Sequence, residues 1–161
     1  MILRSFSAAV ALLTASTAQA QAPACVPQPE AEALFLALAP AMIGSVAATC
    51  ASVLPANALL RRSVGTLTAK YAGESDVAWP RAKEGLRKLL GPQGGQMVDS
   101  ELARPMVTAM IAPMLAKEVK PRDCPNIDRV LTLIDPLPAK ATAALVVTIL
   151  EMSGAGRAKP G

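Results

Sequence analysis

The sequence predicts an all-α protein, built as a single small domain of five to six short helices, several of them kinked by proline. Apolar residues recur at intervals of three and four along most of the chain, and no stretch alternates with the period of two that is typical of a strand. The length of 161 residues suits one domain. Short links between the apolar segments complete the pattern of a helical domain.

Residues 1–20 have the layout of a cleaved signal peptide. Arg4 is their only charged residue, an apolar run broken only by Ser and Thr covers 6–15, and Ala18-Gln19-Ala20 matches the small-x-small motif of a signal peptidase site. We therefore expect cleavage between Ala20 and Gln21. The alternative is that residues 1–20 form an ordinary first helix of the mature fold.

Cleavage would leave a helical domain over residues 21–152 and a flexible tail over 153–161. Alanine supplies 32 positions of the chain. In composition and layout the chain resembles small alanine-rich exported proteins of Gram-negative bacteria, although no motif supports this resemblance and it implies no activity. We expect a secreted protein that resides in the periplasm of such a bacterium.

The first helix of the mature chain is predicted from residue 30 to about residue 50. An apolar stripe recurs every four residues, at Leu34, Leu38, Met42, Val46 and Cys50. Pro40 lies within this helix and is expected to kink or split it, because proline lacks the amide that donates to the preceding turn. Residues 54–57, with the sequence Leu-Pro-Ala-Asn, then predict a turn.

The second and third helices are predicted on either side of a break at residues 72–75. The spacing of Leu60, Val64, Leu67 and Tyr71 marks the second helix. Ser75 or Asp76 is expected to cap the third helix, and Gly91-Pro92 is expected to end it. Residues 93–96 contain two glycines and are predicted to form the most flexible link between helices.

The fourth helix is expected to begin at a cap formed by Asp99 or Ser100, and Pro105 and Pro113 should bend it.

The fifth helix follows a predicted loop at residues 120–123 and has Pro125 near its first position. The last helix begins at Pro138. Its stretch over 141–150 is apolar nearly all round, which predicts a central place in the fold.

Cys25, Cys50 and Cys124 all survive signal cleavage, and an oxidising compartment favours one disulfide among them. A straight first helix carries Cys50 roughly 30 Å from the helix start at about 1.5 Å per residue. Bridged Cα atoms lie within about 7 Å of each other, so Cys25–Cys50 would require a hairpin at Pro40. We predict Cys50–Cys124, with Cys25–Cys124 and three free thiols as the alternatives.

The composition argues against an enzyme. The chain contains no histidine, which excludes a Ser-His or Cys-His pair, a His general base and a His-ligated zinc. Two Phe, one Tyr and one Trp leave few rings to line a sugar cleft. A cell-wall enzyme with a lone catalytic carboxylate, at Glu74, Glu84 or Glu101, is therefore only a third candidate. We expect no cofactor.

The charge of the chain argues against a nucleic-acid partner. Removing Arg4 from the 16 Lys and Arg residues leaves 15 against 12 Asp and Glu, and the basic residues are spread along the chain. Nucleic-acid binders are usually more basic and concentrate their positive charge.

A second candidate is a protein anchored in the inner membrane through residues 33–54. Residues 33–60 contain no charge, whereas about 20 residues suffice to span a bilayer, and Arg61 and Arg62 follow directly. Prolines at 40 and 55 and the regular apolar stripe favour a buried core segment instead.

Met106, Met110 and Met114 lie at i, i+4 and i+8 in the fourth predicted helix. Such a stripe usually packs in a core. The functional alternative is a deformable apolar groove, with Leu145 and Ile149 of the last helix opposite, that accepts an acyl chain or a partner's apolar helix. A copper(I) site is a third possibility, which the absence of histidine disfavours.

These observations together predict a non-catalytic binding or structural interaction module of the periplasm. Its expected partner is another envelope protein or a hydrophobic ligand.

Overall fold

The structure, a computed structural model, describes residues 26–154, and 82% of these are helical. None of residues 26–154 lies in a strand, so the predicted all-α class and single small domain are confirmed. A 3₁₀ helix at Pro121–Asp123 accompanies six α-helices, which are α1 (Gln28–Cys50), α2 (Leu59–Arg62), α3 (Val64–Val98), α4 (Ala103–Glu118), α5 (Cys124–Ile134) and α6 (Ala139–Met152).

Three sequence predictions lie outside the described residues. These are the signal peptide with its cleavage site between Ala20 and Gln21, the position of Cys25, and the tail beyond residue 154.

α1 is the central helix of the domain. It packs along α3 and also contacts α4 and α6. Its close approach to α3 depends on Gly85, where a Cβ atom would lie 2.8 Å from Cδ1 of Leu34. α1 runs through Pro40 without interruption, so the predicted split does not occur. Packing against the other helices of the domain holds the two halves of α1 together despite the missing amide.

The segment between residues 54 and 98 differs most from the prediction. The turn at residues 54–57 is present, but the helix that follows it, α2, is only 4 residues long and ends at Arg62. α3 then continues through residues 72–75, where the sequence predicts a break. Ser75 is 2% exposed, and its hydroxyl donates a hydrogen bond of 2.9 Å to the carbonyl of Ala37 in α1. Ser75 therefore holds α3 against α1 and does not cap a helix.

Gly91 interrupts α3 with φ 67° and ψ −172°, a conformation that is open almost only to glycine. The sequence predicts that the third helix ends at Gly91-Pro92, and the helix is indeed interrupted there. Helical geometry resumes at Pro92, whose missing amide has no helical partner to lose. The predicted flexible link at residues 93–96 is helical instead, because this short second segment of α3 follows the interruption directly.

The predicted cap of the fourth helix is wrong. No side chain of the described residues caps α4, which begins at Ala103. Asp99 instead bonds the guanidinium group of Arg87, and Glu84 bonds the same group. These hydrogen bonds raise the pKa of Arg87, and the bond to Asp99 contributes more than the bond to Glu84. The hydroxyl of Ser100 donates to the carbonyl of Met97 at 2.9 Å.

α5 and α6 begin where the sequence predicts. Pro125 lies in the first turn of α5, and Pro138 immediately precedes α6. The predicted central position of α6 is wrong, because α6 lies on the surface of the domain. It buries Ala139, Thr142, Ala143 and Val147 but leaves Leu145, Ile149 and Leu150 exposed. α1 takes the central place, since it contacts α2, α3, α4 and α6 and buries eight of its own residues.

Cys50 and Cys124 form a disulfide, as predicted, with their Cα atoms 5.6 Å apart. Both residues are 0% exposed. The bond joins the last residue of α1 to the first residue of α5. It therefore links the two halves of the chain at the end of the central helix.

Candidate functional site

α4 carries an apolar surface on the side that faces solvent. Residues 105–116 contain no charge, and Thr108 is their only polar side chain. The residues that α4 buries are all small, namely Ala103, Ala112 and Ala116. Because these alanines are buried where α4 packs on α1 and α3, the longer side chains of the helix lie outside or at the edge of the contact.

Met106, Met110 and Met114, which we call the Met face, are 43%, 62% and 63% exposed. Core packing, the usual explanation of such a stripe, is therefore wrong for these residues. Leu102, one turn earlier, is 66% exposed and extends the same four-residue spacing. The sequence pattern places Leu102 on the same apolar side of the fourth helix as Met106, although the predicted groove did not include it.

Arg104 fixes the first turn of α4 to α3. Its Nη1 donates to Oδ1 of Asp76 at 2.6 Å, and its Nη2 donates to the hydroxyl of Ser75 at 2.7 Å. Its Cζ lies 5.8 Å from the ring centroid of Trp79. Since Ser75 also donates to Ala37, this group of side chains connects α4, α3 and α1. The Met face is thus carried by a helix that is anchored at its start.

A pocket of about 490 Å³ lies where α4 meets the second half of α1, and its lining includes Pro113, the neighbour of Met114 in the chain. Its lining is mostly small, and its one charged residue is Lys117. The lining residues are Ser45, Ala48, Thr49, Pro113, Ala116, Lys117 and Val119. The hydroxyl of Thr49 donates to the carbonyl of Ser45 at 3.0 Å and is therefore already occupied within α1. The pocket is suited to an apolar group more than to a polar one.

Leu145 and Ile149 of α6 are also exposed, at 42% and 54%. α4 and α6 each pack on α1. That Leu145 and Ile149 form the opposite wall of one groove with the Met face stays a prediction.

A second pocket, of about 330 Å³, lies between α1, α3 and α6 and carries charges of both signs. Its charged residues are Glu32, Glu74, Arg81 and Lys140. Oε2 of Glu74 lies 3.2 Å from Nζ of Lys140, so this carboxylate is paired with a cation.

The carboxylates considered for a lone catalytic role lie apart. Glu74 and Glu84 are both in α3, ten residues or roughly 15 Å from each other along the helix. Glu84 forms a salt bridge with Arg87, and Glu101 is exposed in the turn before α4. Within residues 26–154, no three His, Cys, Asp or Glu side chains are grouped so that they could hold a metal ion.

Comparison of the chain with protein-family models, with curated protein sequences and with solved structures finds no match. The Met face and the pocket beside it form the candidate site on geometry alone.

Proposed function

We propose that the protein is an exported, non-catalytic binding module of the periplasm, and that the Met face of α4 contacts an apolar partner. The exposure of Met110 and Met114, at 62% and 63%, is the observation that carries this proposal. A helix with apolar residues on all sides is normally buried, and a contiguous apolar patch on a folded domain usually marks an interaction surface. Flexible thioether side chains adapt to partners of varied shape.

The surroundings of the Met face support a binding role. Arg104 and the buried alanines hold α4 on the domain, so a partner would meet a surface that is already formed. Ala109 is exposed between Met106 and Met110, and its short side chain leaves a shallow depression between the longer side chains. An acyl chain or an apolar helix fits such a surface.

The disulfide supports export. Cys50 and Cys124 are bonded and buried, and disulfides persist in oxidising compartments such as the periplasm. The signal-peptide pattern that ends at Ala20 supports the same location.

An inner-membrane anchor through residues 33–54 remains the second candidate. Among residues 26–154, α1 is the one helix long and apolar enough to cross a membrane, with a mean hydropathy of 1.9 in its most apolar window. However, 44% of that window is buried in the domain, and α1 ends at the disulfide to Cys124. Spanning a membrane would break the contacts of α1 with α3, α4 and α6, which favours the soluble domain.

The location is tested by expressing the full chain in a Gram-negative host. We expect recovery in the osmotic-shock fluid and an intact mass that begins at Gln21 or its cyclised form. Retention with carbonate-washed membranes would support the anchor, and a mass that includes Met1 would contradict the signal peptide.

The binding role is tested by Met110→Gln, with Leu133→Gln in α5 as the matched control, since Leu133 is 70% exposed. We expect Met110→Gln to weaken binding of a fluorescent fatty acid or an amphipathic helical peptide about tenfold, which corresponds to about 1.4 kcal/mol. The control should bind like the parent. Both variants should keep the parent's melting temperature, because an exposed amide stays hydrated. Failure of the parent to bind either probe at concentrations where it is monomeric would contradict the proposal.

A further inference from the structure

We infer that the partner of the Met face is a second copy of this chain, with the two α4 helices packed antiparallel about a two-fold axis near Met110. This inference rests on the proposed function and names the partner at the same surface.

The sequence of α4 repeats with a period of four residues. Residues 105–108, 109–112 and 113–116 read PMVT, AMIA and PMLA, so each unit begins with Pro or Ala followed by Met. Residues four apart form ridges on a helix surface. α4 therefore carries a ridge of long methionine side chains beside a row of shorter side chains, which we call the low row. The low row consists of Pro105, Ala109 and Pro113, and all three residues are exposed, like the methionines of the ridge.

A tall ridge beside a low row is complementary to a copy of itself. When a second α4 is turned about a two-fold axis, its Met ridge can lie along the low row of the first helix. Met110 is at the centre, and Met106 comes opposite Met114 of the second copy. Such a two-fold pairing uses the same patch on both copies, which is the commonest arrangement of soluble oligomers.

The charges at the two ends of α4 fix the direction of the pairing. Glu101 is exposed in the turn before α4, whereas Lys117, Glu118 and Lys120 are exposed at its other end and together carry one net positive charge. The midpoint between Glu101 and Lys117 in sequence is Ala109, next to Met110. Antiparallel helices centred there bring each Glu101 toward Lys117 of the second copy, whereas parallel helices would bring like charges together. The pairing also opposes the dipoles of the two helices favourably.

The same charges disfavour an anionic membrane as the occupant. Glu101 lies at the start of the face and would be repelled by anionic headgroups, whereas Asp99 is paired with Arg87. A second copy instead offers Lys117 at that end.

Disulfide trapping tests the geometry in the mature chain carrying Cys25→Ser, which removes the third cysteine. Met110→Cys places a thiol beside the two-fold axis, so we expect a covalent dimer under mild oxidation. Met106→Cys and Met114→Cys should not dimerise alone, but a mixture of the two should. Leu133→Cys, at a position 70% exposed in α5, measures the rate of random collision.

Charge reversal tests the register by sedimentation velocity over a concentration series. Glu101→Lys and Lys117→Glu should each weaken dimerisation about two- to thirtyfold, because each change is present in both copies and removes two exposed ion pairs. The double variant restores opposite charges and should recover the affinity of the parent. A double variant that is no better than the single variants would overturn the antiparallel register.

Two trapping results would overturn the antiparallel dimer. One is cross-linking of Met110→Cys no faster than of Leu133→Cys, and the other is self-linking of both Met106→Cys and Met114→Cys, which indicates parallel helices. In the first case, binding of the fatty acid or peptide by a monomeric parent, with loss in Met110→Gln, would keep the proposed function with a different partner. Absence of probe binding as well would remove both proposals.

Discussion

Asp128 in α5 accepts a hydrogen bond of 2.8 Å from the backbone amide of Leu60 in α2, which lies 68 positions earlier in the chain. Leu60 is the second residue of α2, and the first amides of a helix have no acceptor within it. None of the described residues flanking α2 caps it through a side chain. Asp128 supplies the missing acceptor from another helix and so joins α2 to α5.

The first prediction concerns this long-range cap. Asp128→Ala should lower the free energy of unfolding by about 1 kcal/mol, the usual cost of removing a helix cap. Asp128→Asn keeps a side-chain carbonyl that can accept the same hydrogen bond, and it should cost less. Urea unfolding followed by circular dichroism measures both values. Equal losses in the two variants would mean that the charge of Asp128, and not its acceptor atom, stabilises α2.

The second prediction concerns the contact between Ser75 and Arg104. Ser75→Ala removes the donor to Ala37 and an acceptor of Arg104, so it should cost about 1–2 kcal/mol, as expected for a buried hydrogen-bonded hydroxyl. Ser100→Ala removes an exposed hydroxyl and should change stability by less than about 0.5 kcal/mol.

A double-mutant cycle with Arg104→Ala separates this contact from the rest of the network. Because the two side chains share a hydrogen bond, the double variant should lose less stability than the sum of the single variants, by about 0.5 kcal/mol or more. Strict additivity would show that Ser75 and Arg104 stabilise the domain independently.

Local sequence signals placed the last two helices correctly. Pro125 and Pro138 restrict the backbone at or just before the first turn of α5 and α6. Their effect is local, so these helix starts can be predicted without knowledge of distant contacts. The break predicted at residues 72–75 failed because its signals, Gly73 and Ser75, are weak. The hydrogen bond from Ser75 to Ala37 and the packing of α3 on α1 override them.

The sequence predicted which residues share the face of the candidate site but not whether that face is exposed. Spacing placed Met106, Met110 and Met114 on one face, but periodicity does not say whether that face is covered. Exposure depends on which side of α4 packs on α1, and three alanines decide this. The contact between Arg104 and Asp76 spans 28 positions and leaves no periodic signal.

The third prediction concerns the interruption of α3. Gly91→Ala forces a side chain into the conformation with φ 67°, so it should cost about 1–3 kcal/mol. Gly95→Ala is the matched control, since Gly95 is helical and a Cβ there meets nothing within 4 Å. The control should stabilise the domain by about 0.5–1 kcal/mol. Thermal unfolding of both variants checks the opposite signs, and a neutral Gly91→Ala would contradict the conformation at Gly91.

The last prediction concerns the disulfide between Cys50 and Cys124. The bond closes a loop with a sequence separation of 74, and the chain-entropy estimate for such a loop is about 4 kcal/mol. Small domains are stable by about 5–15 kcal/mol in total, so the reduced protein should be close to unfolding at moderate temperature. Urea unfolding with and without reductant measures the loss.

Peptide mapping without reductant and the variant Cys25→Ser complete this test. Mapping should find Cys50 and Cys124 in one linked species and Cys25 alkylated, and Cys25→Ser should unfold at the same urea concentration as the parent. Because both bonded cysteines are 0% exposed, reduction should require partial unfolding and should therefore speed up as urea is added. A linked species that contains Cys25, or an unfolding midpoint that reductant does not lower, would contradict the assigned bond or its stabilising role.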